Sequence, residues 1–162
     1  MSWSTAEVMA LAQKAARGGG APAGQAARFG SVAALHLGKA RSTDDLARAL
    51  DALPEGPILT YPLALDAALG QCTAGTGAVH LSKPVDTLMH SYADALPFWA
   101  DLTSAGKLTL DVTAPKTPAS LNRITGCDDL IERMTQLAER TYVPESDSSR
   151  TSGAGAGVLD ND

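Results

Sequence analysis

The chain has 162 residues, 44% of them hydrophobic but only 4% aromatic, and carries a formal net charge of −5. That length suits one domain, and an acidic chain with no basic stripe interleaved with aromatics excludes a nucleic-acid binder. No stretch approaches the roughly 18 consecutive apolar residues of a membrane-spanning helix, so no membrane partner is expected.

Ser4-Thr5-Ala6-Glu7 has the Ser-x-x-Glu spacing of a capping box. Val8, Leu11, Ala12 and Ala15 then recur at helical spacing until Gly18-Gly19-Gly20 ends the helix. Pro22 suits the first turn of a second helix through about Lys39. In it Ala26, Gly30, Ala34 and Gly38 are all small and four apart, a flat ridge that another element can approach closely. Each interior glycine costs about 1 kcal/mol against alanine, which close packing would offset. The alternative is that the glycines divide this segment into two shorter helices.

Thr43-Asp44-Asp45 starts a third helix, with Leu46, Ala49, Leu50 and Leu53 inward and Pro54 closing it. Ile58–Thr60 reads as a short extended piece, Leu63–Leu69 as a short helix, and Ala78–Ser82 as a strand. Thr87–Leu96 is helical in pattern until Pro97-Phe98-Trp99 interrupts it. Lys107–Thr113 alternates strictly, with Leu108, Leu110 and Val112 on one face of a strand. Asp128–Thr141 is the last helix, with Leu130, Ile131, Met134, Leu137 and Ala138 inward. The expected fold is a helix-rich α/β domain over residues 1–144, with a small sheet of about three short strands. A glycine-rich segment, residues 145–162, follows it.

Charge is unevenly spread. Residues 1–41 carry net +4, residues 42–101 carry −6, and the tail beyond residue 142 carries −3. The basic start could therefore meet an acidic surface, including the acidic part of its own chain. Alanine buries little area, so an alanine-rich core leans toward burying further surface in a homo-oligomer or against a protein partner. Two cysteines, Cys72 and Cys127, form no disulfide framework, so a reducing cytoplasm is the expected compartment. A secretory leader, with a basic start and an apolar run, is not seen at the N-terminus.

Among chemically able residues, Asp86, His90 and Asp94 lie four apart on one helix, so both carboxylates can flank one imidazole and favour its charged form. A solvated face without a task is the simpler reading. His80, within a strand, is a weaker catalytic candidate, and His36, sharing a face with Phe29 and Val32, reads as a packed histidine. Isolated histidines and distant cysteines give no metal-ligand spacing, and no cofactor motif is present. Cys127 precedes Asp128-Asp129, which oppose thiolate formation, so it reads as buried or incidental. The small-residue loop around Cys72, with Thr73, Gly75, Thr76 and Gly77, offers amides that could form an anion nest but lacks a phosphate-loop Lys-Ser/Thr.

The segment "SDSSRTSGAGAG" supplies five hydroxyls from Ser146 to Ser152, the Arg150 guanidinium, and the amides of Gly153, Gly155 and Gly157. With Ser149 among those hydroxyls, this is an anion-binding inventory. Its acidic charge and its glycines favour a loose tail, whereas Val158-Leu159 is an apolar anchor that a solvating tail does not need.

"ALAQKAARGGG" at 10–20 and "ERTYVPESDSSRTSGAGAGVLDND" at 139–162 resemble the ends of a family of bacterial proteins without an assigned activity. The resemblance does not extend over about residues 40–115 and transfers no catalytic residue. It implies that the terminal segment belongs to the family's signature, docked and ordered, with Tyr142, Arg150 and Gly153–Gly157 as its functional part. The expected function is an oligomeric accessory or structural partner whose C-terminal segment docks on another subunit. The alternative is a small enzyme or enzyme subunit binding an anionic metabolite near Arg150, and a ligand-binding module without catalysis is not separable from it by sequence.

Overall fold

The computed structural model describes residues 1–72, 75–81, 85–117 and 123–141. Helix α1 (Thr5–Gly18) begins as its sequence demands: Ser4 Oγ accepts from the Glu7 amide at 3.2 Å while the Glu7 carboxylate accepts from the Ser4 amide at 2.7 Å. This exchange satisfies two donors that helix starts leave orphaned. Helix α2 (Ala23–Gly38) follows as one unbroken helix, which excludes the division into two. The ridge explains why: a Cβ built at Gly30 would lie 2.6 Å from the Met9 carbonyl oxygen and 3.1 Å from Gln13 Cβ. Only a glycine lets α1 and α2 approach this closely.

Helix α3 (Thr43–Asp51) is capped by Ser42, and Leu46, Ala49 and Leu50 are buried along it. Helix α4 (Pro57–Leu69) corrects the expected extended piece at Ile58–Thr60. Pro57 sits in its first turn, where a missing N–H costs nothing, and the chain enters it through Gly56 at φ +82. Pro62 lies inside the helix and is buried. The hydrogen bond it forfeits is a local cost that burial of Ile58, Leu65 and Ala68 on the core side offsets.

Helix α5 (Thr87–Asp94) is capped by Asp86, whose Oδ1 accepts from the Met89 amide at 2.8 Å. It leads directly into β3 (Phe98–Leu102), a strand where the sequence showed only an interruption. Strand β3 turns through Gly106, φ +84, into β4 (Lys107–Pro115). Strand β2 (Thr76–His80) pairs with the other side of β4, so the antiparallel sheet has the order β2-β4-β3. Leu108 lies opposite Val79 and Leu102 in this register, and Leu102, Leu108 and Leu110 are buried while Trp99 is on the open face. Val112, expected inward with Leu108 and Leu110, is exposed where β4 runs beyond the core.

A two-residue ladder joins β1 (Ser2–Trp3) to β5 (Ile124–Thr125), and α6 (Asp128–Glu139) follows. Helix α1 packs between α2 and α6, where a Cβ on Gly18 would run into the Leu137 carbonyl. Among the described residues the fold is thus a helix-rich α/β arrangement in which a three-stranded antiparallel sheet and a two-stranded ladder adjoin six helices. No helix among the described residues is long and apolar enough to cross a membrane.

Candidate functional site

The end of α2, the 39–42 loop and α5 meet through their polar side chains. Ser42 caps α3 with its side chain, which aims its carbonyl at the end of α2. His36, fully buried, places Nε2 2.8 Å from that carbonyl and Nδ1 2.8 Å from Ser91 Oγ. A carbonyl only accepts, so Nε2 carries the proton and Nδ1 accepts from the Ser91 hydroxyl. Ser91 Oγ in turn accepts from Arg41 Nη1 at 2.5 Å, and the Thr87 carbonyl lies 3.2 Å away. Burial pushes the His36 pKa down, and the Ser42 carbonyl and the Asp45 carboxylate, 3.7 Å from Nε2, only partly oppose it. Histidine is therefore held neutral, consistent with this tautomer.

Ser91, His36 and Asp45 are the residue types of a nucleophile, base and acid, but this arrangement does not perform that chemistry. Ser91 and His36 are both inaccessible to solvent, and neither lines the cavities beside α1, α4 or α6. A substrate has no route to the hydroxyl. The network fastens α5 to the end of α2.

One turn beyond Ser91, Asp94 gathers cations. Its Oδ2 accepts from Lys39 Nζ and Arg41 Nη2, both at 2.7 Å, while Lys116 Nζ donates to its backbone carbonyl at 2.8 Å. Desolvation raises the Asp94 pKa, but the hydrogen bonds from Lys39 and Arg41 outweigh it and hold the carboxyl below its ordinary value. Arg28 similarly pairs with Asp66, at 2.9 Å. The basic first quarter of the chain thus meets the acidic part of the same chain, as its charge distribution allowed.

Two adjoining cavities flank this cluster. One, about 500 Å³, lies between α1, α2 and the α5–β3 turn and is lined by Met9, Leu35, Lys39, Asp94 and Lys116 among others. The second, about 300 Å³, lies between α2, α4 and the same turn, with Val32, Leu65, Leu69, Tyr92 and Phe98 in its wall and Arg28 and Asp66 beside it. Ser31, Ala95, Leu96 and Pro97 line both. Tyr92 is 3% exposed, and its hydroxyl has no hydrogen-bond partner among the described residues. Burial drives its pKa far up, so it stands as a neutral donor. Its ring meets Tyr61 edge to face, centroids 6.0 Å apart. A third cavity, about 560 Å³, is polar and lies between α6 and the end of α3, where Arg133 pairs with Asp51.

The residues singled out from sequence are dispersed. Asp86, His90 and Asp94 share α5, but Asp86 is occupied by the Met89 amide and by the Tyr61 hydroxyl at 2.6 Å, and Asp94 by Lys39 and Arg41. No hydrogen bond or ion pair joins His90 to either carboxylate among the described residues, so the expected flanked imidazole is not assembled. His80 is exposed at the end of β2, opposite Lys107. Cys127 is buried, and desolvation followed by the Asp128 charge pushes its thiol up. Cys72 is half-buried with Sγ 3.6 Å from the Ala68 carbonyl, and the nest expected around it includes Thr73, outside the described residues. Tyr142, Ser149, Arg150, Gly153, Gly155 and Gly157 also lie outside them. No group of three or more His, Cys, Asp or Glu among the described residues could hold a metal ion.

Sequence reasoning missed Ser91, Tyr92 and Lys116. Tyr92 carried a signal, lying one turn from Leu88 on the helical pattern. Lys116, beyond the regular alternation of β4, carried none. No protein-family model, curated protein or solved structure matches the chain.

Proposed function

We propose that the protein is a non-catalytic binding module for a small, largely apolar molecule. The cavity bounded by α2, α4 and α5 is its site. The observation that supports this reading is the apolar wall of that cavity, built by Val32, Leu65, Leu69, Tyr92 and Phe98, with the Arg28–Asp66 pair at its edge. Apolar walls with one or two placed polar groups are the usual composition of small-molecule sites. The sealed Ser91–His36 pair favours binding over catalysis.

Nile red fluorescence, with octanol as the displacing ligand, tests the reading. Saturable binding is expected, and Leu65→Trp, which fills the cavity, should abolish it. Binding indifferent to that substitution would sink the proposal.

A further inference from the structure

We infer that the two adjoining cavities form one site for a carboxylate-headed amphiphile, its chain beside Tyr92 and its head on Lys39 and Lys116. The inference rests on the binding reading above and names the class of ligand. Its first support is continuity. Four residues, Ser31, Ala95, Leu96 and Pro97, are common to both cavities, so the two adjoin along the α5–β3 turn, across which an elongated molecule would lie.

The second support is charge. Arg41, Lys39 and Lys116 converge on Asp94, and only two of them reach its carboxylate. Lys116 bonds instead to the Asp94 backbone carbonyl, a neutral acceptor. Three cations around one carboxylate leave a local excess of two positive charges, on a protein whose net charge is −5. The other acid that lines the joined cavities, Asp66, is paired with Arg28 at 2.9 Å. Desolvation already disfavours the charged form of Lys116, with Asp94 opposing and Lys39 adding to it. A second carboxylate at this ammonium would offset that cost.

The third support is the match of head to site. Arg41 is spent on Ser91 and Asp94, so no bidentate guanidinium fork is open for a phosphate dianion. With a local excess of two positive charges, a single carboxylate head is held without reversing the sign of the groove. At the other end the apolar wall suits a hydrocarbon chain with little polar decoration.

Calorimetric titration of the intact protein with octanoate, octanol and acetate tests this. Octanoate should bind about tenfold tighter than octanol, equivalent to about 1.4 kcal/mol, and acetate far more weakly than either. Lys116→Met should erase the advantage of octanoate over octanol, and Lys39→Met, should the first variant fold poorly, should do the same. Octanoate binding no tighter than octanol, or an advantage that survives both substitutions, would overturn the head site and leave the cavity reading standing. If neither eight-carbon ligand binds, both fall.

Discussion

His36 Nδ1 and the Ser91 hydroxyl lie 2.8 Å apart, both side chains sealed from solvent, and Arg41 donates to the same hydroxyl. Ser91 thus joins an imidazole on α2 to a guanidinium in the loop after it. Removing it leaves the buried His36 Nδ1 and one nitrogen of the partly exposed Arg41 without this partner.

Ser91→Ala is therefore expected to destabilise the fold by about 1–3 kcal/mol. The urea midpoint should fall while the m-value stays constant. An unchanged midpoint would show that the network contributes nothing to stability.

Acid should weaken the fold through His36. Its folded pKa is depressed below the ordinary 6.5 by burial, so as pH falls the unfolded chain takes the proton first. Stability present above about 6.5 is then lost progressively down to the folded pKa and levels off below it. Chemical denaturation between about pH 5 and 7 should show this slope, and His36→Asn should flatten it. An identical slope in the variant would assign the effect elsewhere.

Asp94→Asn leaves Lys39, Arg41 and Lys116 together without a carboxylate. With Asp94 about one quarter exposed at 26%, the cost should fall between those of exposed and buried pairs, about 1–3 kcal/mol. High salt should shrink it, because the loss is largely repulsion among cations. A salt-independent loss would point to the lost hydrogen-bond geometry instead.

Gly30→Ala inverts the usual helix rule. Alanine gains about 1 kcal/mol of helix propensity, but its methyl would lie 2.6 Å from the Met9 carbonyl. Pushing α1 off α2 should cost about 1–3 kcal/mol and outweigh the gain. Thermal denaturation reads the sign directly, and a higher melting temperature would mean that the helices part without cost.

What could be read in advance depended on how local its cause was. The Ser4–Glu7 box, Thr43 with its acids and the alternation of Leu108 and Leu110 each act within one turn or one strand, and all appear in the fold. Ile58–Thr60 was misread because two prolines there spoke against a helix, while the burial that holds α4 together comes from distant elements. Phe98–Leu102 was missed because Pro97 masks a strand whose partner, β4, lies on the other side of a turn.

The sequence by itself determined where α1, α3 and α6 start, which ridge of α2 is flat, and that the first quarter of the chain is basic and the middle acidic. Capping, backbone sterics and summed charge are properties of neighbouring residues or of composition. Only the tertiary structure decided which charges meet. Lys39 and Arg41 reach Asp94 across 55 and 53 residues, and Tyr92 ends with a buried hydroxyl beside an apolar cavity. Those outcomes follow from how α2, α4 and α5 pack together, and a one-dimensional pattern does not specify which side chains such packing brings together or which polar atom it leaves unpaired.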